Sequence, residues 1–267
     1  MDGEIFGQPL VVTNVMFQGY TQAKTVVYVV TMNDSIYAFD GKPTTAGGTC
    51  TLLLSNKVSV LPAGTNETAA NCSMLGGMTC QTIAPNVGIL GTPVISAASN
   101  NGTTTGTLYL VAESELASGS STTFYHRLWA FDITTLSLTS AISVQVVPPT
   151  SCPIGNISPF SQIHIQRPAL LLGGDGYVYT AFSMMDGNTN PYPNGMILAY
   201  ATANLSTTPL CLALSQGTRG FDGASGEDLG DRHTDRMRTR ASMGSTTRSS
   251  TRGTDFMTAA VIGATAS

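Results

Sequence analysis

Three segments of this chain repeat one pattern, and such repetition indicates an architecture that copies a single supersecondary unit. Each copy contains a Pro-anchored apolar run, then a run rich in aliphatic residues, then an apolar segment that closes on Ala and an aromatic residue. The 267-residue chain is therefore predicted to build three similar units. The closing pairs are Ala38-Phe39, Ala130-Phe131 and Ala199-Tyr200.

The apolar runs are short, rich in β-branched and aromatic residues, and bounded by Gly, Asn, Ser and Pro, which is typical of strands. Each copy supplies four, and Asn33-Asp34 and residues 173–176 are turn sequences between neighbouring strands. Four antiparallel strands make one blade of a β-propeller, so we expect an all-β propeller fragment of about three four-stranded blades. The strands are expected near 8–13, 25–32, 35–40 and 49–55, near 92–97, 106–113, 125–132 and 140–147, and near 168–172, 176–183, 195–201 and 209–214.

Two long segments, 57–90 and 148–166, separate the copies and are rich in Pro or Gly. Loops of this length inside a compact domain tend to be binding loops or covering segments. A plain linker between blades is the alternative, and the sequence leaves the choice open. The blades themselves are then expected near 8–56, 91–147 and 166–214.

The composition changes after about residue 216. Seven of the 12 Lys and Arg residues lie within 217–267, and all seven are Arg. Residues 242–254 are a low-complexity Ser/Thr/Arg segment, which cannot bury enough apolar surface to offset its ordering entropy. We therefore expect a partial propeller over 1–215 and a disordered tail over 216–267. Two origins of the tail compete: a natural basic tail for an acidic partner, or a reading-frame shift that replaced the rest of the propeller. The second is favoured, because a fourth repeat is due where the tail begins and is absent.

Charge and hydropathy limit the partners. Charged residues make up 10 % of the chain and the net charge is −4, which argues against the basic stripe of a nucleic-acid-binding protein. No apolar run approaches the roughly 20 residues of a membrane helix. Residues Met1 to Glu4 lack the features of a signal peptide, so either the protein is cytoplasmic or this start is internal to a longer gene. Export is expected only of a full-length form.

The five cysteines leave at least one unpaired within the chain. Cys72 and Cys80 flank a Gly-rich loop and fit a disulfide in an oxidising compartment, although unpaired small residues are the alternative. None of the cysteines has the spacing of a zinc site.

Several polar residues are candidates for function. Asp40 and Asp132 end equivalent strands and are expected to accept backbone N–H bonds in turns. Glu113 and Glu115 share one face of a strand and suit a cation such as Ca²⁺, but solvated loop carboxylates are the expected interpretation.

The His126-Arg127 pair is expected on a solvated strand face, and His164 and Arg167 flank the start of another strand. Arg127 and Arg167 are our candidates for lining an anion-binding funnel. The remaining candidates are discounted as turn or tail residues: Asp175, Asp186 and His233.

The phrases over 27–40, 88–95, 106–112 and 126–132, together with 167–171, resemble quinoprotein-dehydrogenase-like β-propellers, the superfamily of pyrroloquinoline-quinone-type repeats. Within it the chain looks most like secreted bacterial propellers. The resemblance implies the fold, but such propellers include enzymes, assembly factors and binding scaffolds.

The chain departs from the enzymes of that superfamily in three ways. Its one tryptophan, Trp129, precedes the Ala-x-Asp segment instead of following it, and no adjacent-cysteine pair is present. Asn194 and Met196 stand where related propellers tend to carry a His and a Trp. We find no catalytic constellation and expect no cofactor, so an enzyme is the less favoured interpretation.

These features favour a non-catalytic binding or scaffold propeller, truncated here, periplasmic or secreted in its full-length form, with an unknown protein or glycan as its ligand. The alternative is a fragment of a quinone-dependent dehydrogenase, which requires a bound quinone and Ca²⁺. Because three blades cannot close a ring, we expect the chain to self-associate through an open blade edge.

Overall fold

The computed structural model describes residues 1–42, 48–75, 83, 85–139, 143–152, 160–184 and 195–214. They lie in one compact unit, Met1–Gly223. Within the described residues the chain is nearly all β-structure, apart from the short helix α1 (Phe160–Ile163) and a 3-10 turn at Cys72–Met74. The all-β prediction is confirmed, whereas the predicted tail over 216–267 lies outside the described residues.

The described strands lie within and between the three repeats. In chain order they are β1 (Leu10–Val15), β2 (Lys24–Thr31), β3 (Ser35–Asp40), β4 (Val58–Ser59), β5 (Thr68–Asn71), β6 (Asn86–Val87), β7 (Val94–Asn100), β8 (Thr103–Ser118), β9 (Ser121–Asp132), β10 (Val144–Gln145), β11 (His164–Ile165), β12 (Leu171–Leu172), β13 (Tyr177–Met184), β14 (Met196–Ala201) and β15 (Leu210–Ala213).

Three antiparallel meanders of four strands account for most of these strands. The first meander is β1-β2-β3-β4, the second is β7-β8-β9-β10 and the third is β12-β13-β14-β15. A parallel pairing of Val15 with Thr104 joins the first two meanders into one curled sheet. The second and third repeats thus each form one meander, and the first repeat supplies β1, β2 and β3 of its meander.

The outer strand of the first meander is the main departure from the predicted strand positions. It was expected over 49–55, but only Leu52 bridges Phe39 there, and the ladder resumes at β4. Backbone bonds from Leu53 to Ala38 and from Asp40 to Thr51 hold the intervening segment against β3. The predicted strand is thus reduced to a single bridge, and the outer ladder lies at Val58–Ser59, within the segment 57–90 that was expected to be an insertion.

The β8–β9 hairpin is longer than the predicted strands at 106–113 and 125–132. Its ladder continues to Ser118 and Ser121, across a turn in which Gly119 has a φ of +61°. The extension is stabilised because β5, from the 57–90 insertion, pairs with β8 at Thr68 and Glu115. The insertion thus contributes a strand to the sheet and is more than a linker.

Alternating residues of β8 divide between two apolar cores, so the second meander is covered on both faces. Leu108 and Leu110 belong to a core that they share with the first meander. Tyr109 and Val111 belong to a core that they share with the third meander. The second meander therefore lies between the first and the third, with one apolar core on each of its faces.

Candidate functional site

Both insertions converge on the extended end of the β8–β9 hairpin, which we call the covered end. Glu113 and His126 lie directly opposite each other there. The Glu113 N–H donates to the Gly88 carbonyl at 3.1 Å, and the His126 N–H donates to the Ser161 hydroxyl at 3.1 Å. Each insertion thus satisfies one backbone donor of the hairpin, which an exposed hairpin would leave to water.

A small apolar core closes the covered end. It combines residues of both insertions with Met32, from the β2–β3 turn, and Phe124, from strand β9. The 57–90 and 148–166 insertions are therefore covering segments, one of the two alternatives that their lengths leave open. The insertion residues in this core are Ala70, Cys72, Leu75, Ile83, Val87, Leu90 and Ile165.

Glu113 and His126 form a buried pair at this end. The Glu113 Oε2 and His126 Nε2 atoms are 3.2 Å apart, and both side chains are at most 3 % exposed. The His126 ring meets the rings of Phe160 and Phe182 edge to face, with centroids 5.9 and 5.2 Å away. Burial raises the pKa of Glu113, and the attraction of His126 opposes this rise.

Glu67 and Arg127 form a second pair beside the first. The Arg127 Nη2 donates to Glu67 Oε1 at 2.8 Å, and Nη1 donates to Oε2, so the ion pair is bidentate. The Ser114 hydroxyl also donates to Glu67 Oε2 at 2.8 Å, and the guanidinium lies 4.3 Å from the centre of the Tyr125 ring. This geometry fixes Glu67 by three donors and orients Arg127 on both sides.

Asp34 is a buried carboxyl group at the covered end. It occupies the β2–β3 turn with a φ of +52°, is fully buried, and neither carboxylate oxygen has a hydrogen-bond partner among the described residues. Burial raises its pKa well above the ordinary range, and the negative charges of Glu113 and Glu67 raise it further, while Arg127 opposes them. Asp34 is therefore best satisfied as a neutral carboxylic acid.

Gly88 allows this arrangement because it brings the insertion against the turn. A Cβ atom at this position would lie 2.5 Å from the Met32 carbonyl oxygen and 2.6 Å from Asp34 Oδ1. The close approach also places the Gly88 carbonyl within reach of the Glu113 N–H. Only glycine has room here without displacing backbone.

Asp2 anchors the N-terminal segment at the same turn. Its carboxylate accepts hydrogen bonds from the Ser35 hydroxyl at 2.9 Å and the Tyr37 hydroxyl at 3.0 Å, and it pairs with Lys57. Although burial raises the pKa of Asp2, these donors and Asn33 lower it more, and the net pKa lies well below the ordinary value. Unlike Asp34, this carboxylate is held in its charged form.

The covered end thus contains carboxylates, a histidine and an arginine, and three of these groups are enclosed by the protein. Asp34, Glu113 and His126 are at most 2 % exposed, so a substrate has no access to them through the described residues. The described residues contain no group of three His, Cys, Asp or Glu side chains suited to a metal ion. In this arrangement the charges position the insertions on the hairpin.

An open apolar groove lies elsewhere, between the outer strands of the first and second meanders. Its volume is about 400 Å³. Trp129 forms part of its wall and stacks on Phe131 with ring centroids 6.0 Å apart. The lining residues are Val58, Ser59, Leu61, Pro62, Ala63, Trp129, Phe131, Leu136, Leu138 and Ser143.

The turn aspartates behave as the sequence predicts. Asp40 Oδ1 accepts the Lys42 N–H at 3.0 Å, and Asp132 Oδ1 accepts the Thr134 N–H at 2.7 Å. Asp175 likewise accepts the Tyr177 N–H at 3.2 Å. Their structural role is confirmed.

The solvated positions predicted for two other residues are wrong. His126 is 1 % exposed and Glu113 is 2 % exposed, because the insertions cover the strand face that was expected to meet water. Glu115, the predicted companion of Glu113, is half-buried, and its carboxylate accepts the Asn71 N–H at 2.9 Å. The two carboxylates therefore have separate partners.

Arg127 and Arg167, the predicted funnel residues, have different surroundings. Arg127 is half-buried and committed to Glu67, whereas Arg167 is exposed just after the buried Gln166. Their assignment to a funnel stays a prediction. His164 is buried and stacks on Phe160 with ring centroids 4.8 Å apart. Asp186, Asn194 and His233 lie outside the described residues.

Sequence reasoning missed Asp34 and Glu67 as members of the cluster and treated Glu113 and His126 separately. Aligning the hairpin on a turn at Gly119 would have placed Glu113 opposite His126. Nothing in the sequence near Asp34 or Glu67 signals burial, because the covering residues are distant in the chain.

Two disulfide-bonded sites lie within the described residues. Cys152 and Cys211 form a disulfide between the segment after β10 and strand β15. Cys72 is disulfide-bonded as well, while its predicted partner Cys80 lies outside the described residues. Cys50 is free and exposed.

Comparison of the chain with models of protein families, with curated proteins and with solved structures gives no match. The resemblance to quinoprotein-like propellers therefore stays a prediction. Among the described helices, none has the length and apolar character needed to cross a membrane.

Proposed function

We propose that this chain is an exported, non-catalytic binding or scaffold protein whose meanders are blades of a quinoprotein-like β-propeller. Its ligand, a protein or a glycan, is held by the insertions that close one end of the meanders. The observation that carries the proposal is the convergence of both insertions on the β8–β9 hairpin.

The stacking of the meanders supports the propeller. Adjacent propeller blades pack face to face, and each blade is a four-stranded antiparallel sheet. The second meander has such a neighbour on each face, and the same alternation of side chains forms both contacts. Within a two-layer sandwich, by contrast, each sheet would have one covered face.

The burial of the charge cluster supports binding over catalysis. A general acid or base must reach the reacting group of a substrate. The His126 ring of the Glu113–His126 pair packs against Phe160 and Phe182, and Glu67 is ion-paired with Arg127. These groups suit a rigid base on which the outer residues of the insertions, such as 63–66, are exposed to a partner.

The disulfides support export. Structural disulfides form and persist in oxidising compartments and are rare in the cytosol of mesophiles. The Cys152–Cys211 bond belongs to the core between the second and third meanders. It therefore stabilises the stack itself.

Two assays test the proposal with the purified, oxidised chain. On an array of neutral and acidic oligosaccharides and peptides, we expect saturable binding that is lost when residues 63–66 are replaced by a Gly-Ser linker. The matched control replaces residues 121–123, which lie beside the β8–β9 turn. Binding that survives both replacements, or no binding at all, would argue against a ligand site on the insertion.

The competing enzymatic interpretation is tested by adding pyrroloquinoline quinone and Ca²⁺. We expect neither a shift in melting temperature nor reduction of an artificial electron-acceptor dye in the presence of alcohols. A saturable change in the quinone spectrum, with dye reduction, would replace the binding proposal by a dehydrogenase.

A further inference from the structure

Each meander presents two cross-strand rows of apolar side chains, one on each face. The first kind, which we call the Tyr row, contains the tyrosine of the repeat. Its members are Leu10-Tyr28-Ala38 in the first meander, Val94-Tyr109-Ala130 in the second and Leu171-Tyr179-Ala199-Leu210 in the third.

The opposite face presents what we call the Phe row, since it contains the aromatic residue that closes the repeat. Register places these residues directly across from one another in neighbouring strands. The members are Val11-Val27-Phe39-Leu52 in the first meander, Ile95-Leu108-Phe131-Leu138 in the second and Leu172-Val178-Tyr200 in the third.

The chain uses one contact twice. Tyr28 and Ala38 share a core with Leu108 and Phe131, so the Tyr row of the first meander packs on the Phe row of the second. The same contact recurs one meander later, where the second Tyr row packs on the third Phe row. Its members there are Tyr109, Ala130, Val178 and Tyr200. The two kinds of row are therefore complementary surfaces.

At the ends of the stack one row of each kind is left over. In the Tyr row of the third meander Leu171 is 63 % exposed and Leu210 is 60 % exposed. In the Phe row of the first meander Val11 is 60 % exposed and Leu52 is 37 % exposed. Exposed apolar faces of this kind mark association sites.

The Phe row of the first meander resembles the Phe row of the second meander, which is covered by the first. Tyr37 stacks on Phe39 with ring centroids 6.1 Å apart and an interplanar angle of 16°. The equivalent rings of the second meander, Trp129 and Phe131, are 6.0 Å apart at 22°, and they belong to the core shared with the first meander. The same pair of stacked rings is thus present in both meanders; Tyr37 itself is 8 % exposed, and the open part of the first Phe row is at Val11 and Leu52.

We propose that two copies of this chain bind head to tail, with the Tyr row of the third meander of each copy packed on the Phe row of the first meander of the other. Such a contact joins two different surfaces, and repetition of it closes a ring when the rotation permits. Two copies supply six meanders, within the roughly four to eight blades of a propeller, whereas three copies would exceed it. The number of copies in the ring depends on the proposed propeller fold. The contact between the Tyr row and the Phe row does not depend on it.

Sedimentation equilibrium of the oxidised chain tests the contact, with one charged substitution in each row. Leu210→Glu places a carboxylate in the leftover Tyr row, and Val11→Glu places one in the leftover Phe row. The proposed dimer has two contacts, and in a dimer of either variant the introduced glutamate lies in both of them. We therefore expect each variant to be monomeric, with dimerisation weakened by about 100-fold or more. Val147→Glu is the matched control, since this valine is 51 % exposed but follows the second meander, whose faces are already covered.

Mixing the two variants separates a head-to-tail contact from any other. An equimolar mixture retains one contact without a defect, between the Tyr row of the Val11→Glu chain and the Phe row of the Leu210→Glu chain. We expect a one-to-one heterodimer to form, while the control variant dimerises like the unaltered chain. Circular dichroism spectra matching the unaltered chain establish that each variant is folded.

Three outcomes would overturn the proposal: an unaltered chain that is monomeric at about 100 μM, variants that still dimerise alone, or a mixture that stays monomeric. Larger assemblies that each substitution dissolves would support the contact but overturn the two-copy ring. Because no ligand is added, any of these results leaves the proposed binding role to be judged by its own assays.

Discussion

Asp34→Asn is expected to stabilise the folded chain at neutral and alkaline pH. The carboxylate of Asp34 is fully buried without a hydrogen-bond partner among the described residues, beside the negative charges of Glu113 and Glu67. Asparagine keeps the shape, cannot ionise and tolerates the positive φ of this position. The substitution therefore removes a cost and breaks no observed bond.

The pKa of Asp34 fixes the sign and the limit of the effect. Since this pKa is raised above the ordinary value of 3.8, the folded state retains a proton that the unfolded state has lost. The unfolding free energy of the unaltered chain then falls as pH rises between the unfolded and folded pKa values, by at most about 1.4 kcal/mol per pH unit for one proton. The amide of the Asp34→Asn variant has no proton to lose, so the gain from the substitution grows over this window and then levels off.

Urea unfolding measured from about pH 4 to pH 8 tests this prediction. The single tryptophan, Trp129, is 4 % exposed and reports the loss of the core. We expect similar stability of both proteins at the acid end, and a more stable variant at the alkaline end. A variant that is equally or less stable at pH 8 would refute the assignment of Asp34 as a buried acid.

Asp40→Asn is the matched control and has the opposite sign. The Lys24 side chain donates to Asp40 at 2.9 Å and lowers the pKa of this carboxyl. Its stabilising contribution is therefore present above the unfolded pKa and is lost as pH falls through the folded pKa. We expect this variant to be no more stable than the unaltered chain at pH 8, and the difference to vanish in acid.

Three further substitutions test the packing by thermal or urea unfolding. Gly88→Ala should destabilise by about 1–3 kcal/mol because the new Cβ meets backbone, whereas Gly174→Ala, with nothing within 4 Å, should change little; equal effects would contradict the close approach. Replacing both Cys152 and Cys211 by Ser removes a crosslink with a sequence separation of 59 and should cost about 4 kcal/mol by chain entropy; no loss would mean that the bond is absent. Tyr28→Phe leaves a buried carbonyl without its 2.6 Å donor and should cost about 1–3 kcal/mol, a loss that an exposed hydroxyl would not show.

Most strands of the three meanders were predictable because short runs of β-branched and aromatic residues are bounded by turn residues. Tyr28 and Val30 enter one core while Val27 faces the other side, and Leu108 to Val111 repeat this order. Such a period of two fixes strand and face together, and the register follows from the turn. The repeated phrase therefore predicted the all-β fold class and most of the strands.

The covered end was not predictable in the same way. Residues 114–124 are rich in Ser and Thr and look like a loop, but strand β5 pairs with part of them and makes them a strand. The burial of His126 depends on Phe160 and Ser161, which are more than thirty residues away in the chain. Long-range covering of this kind has no local period, so sequence patterns assign such residues to solvent.

Hydrogen exchange at the amides of β8 is the measurement by which to judge the stacked arrangement. If the second meander is covered on both faces, the amides of residues 108–111 should exchange only by global unfolding. Their exchange free energy should then equal the unfolding free energy from urea on the same sample. Exchange by local opening, with a free energy well below the global value, would contradict the burial of this meander between the other two.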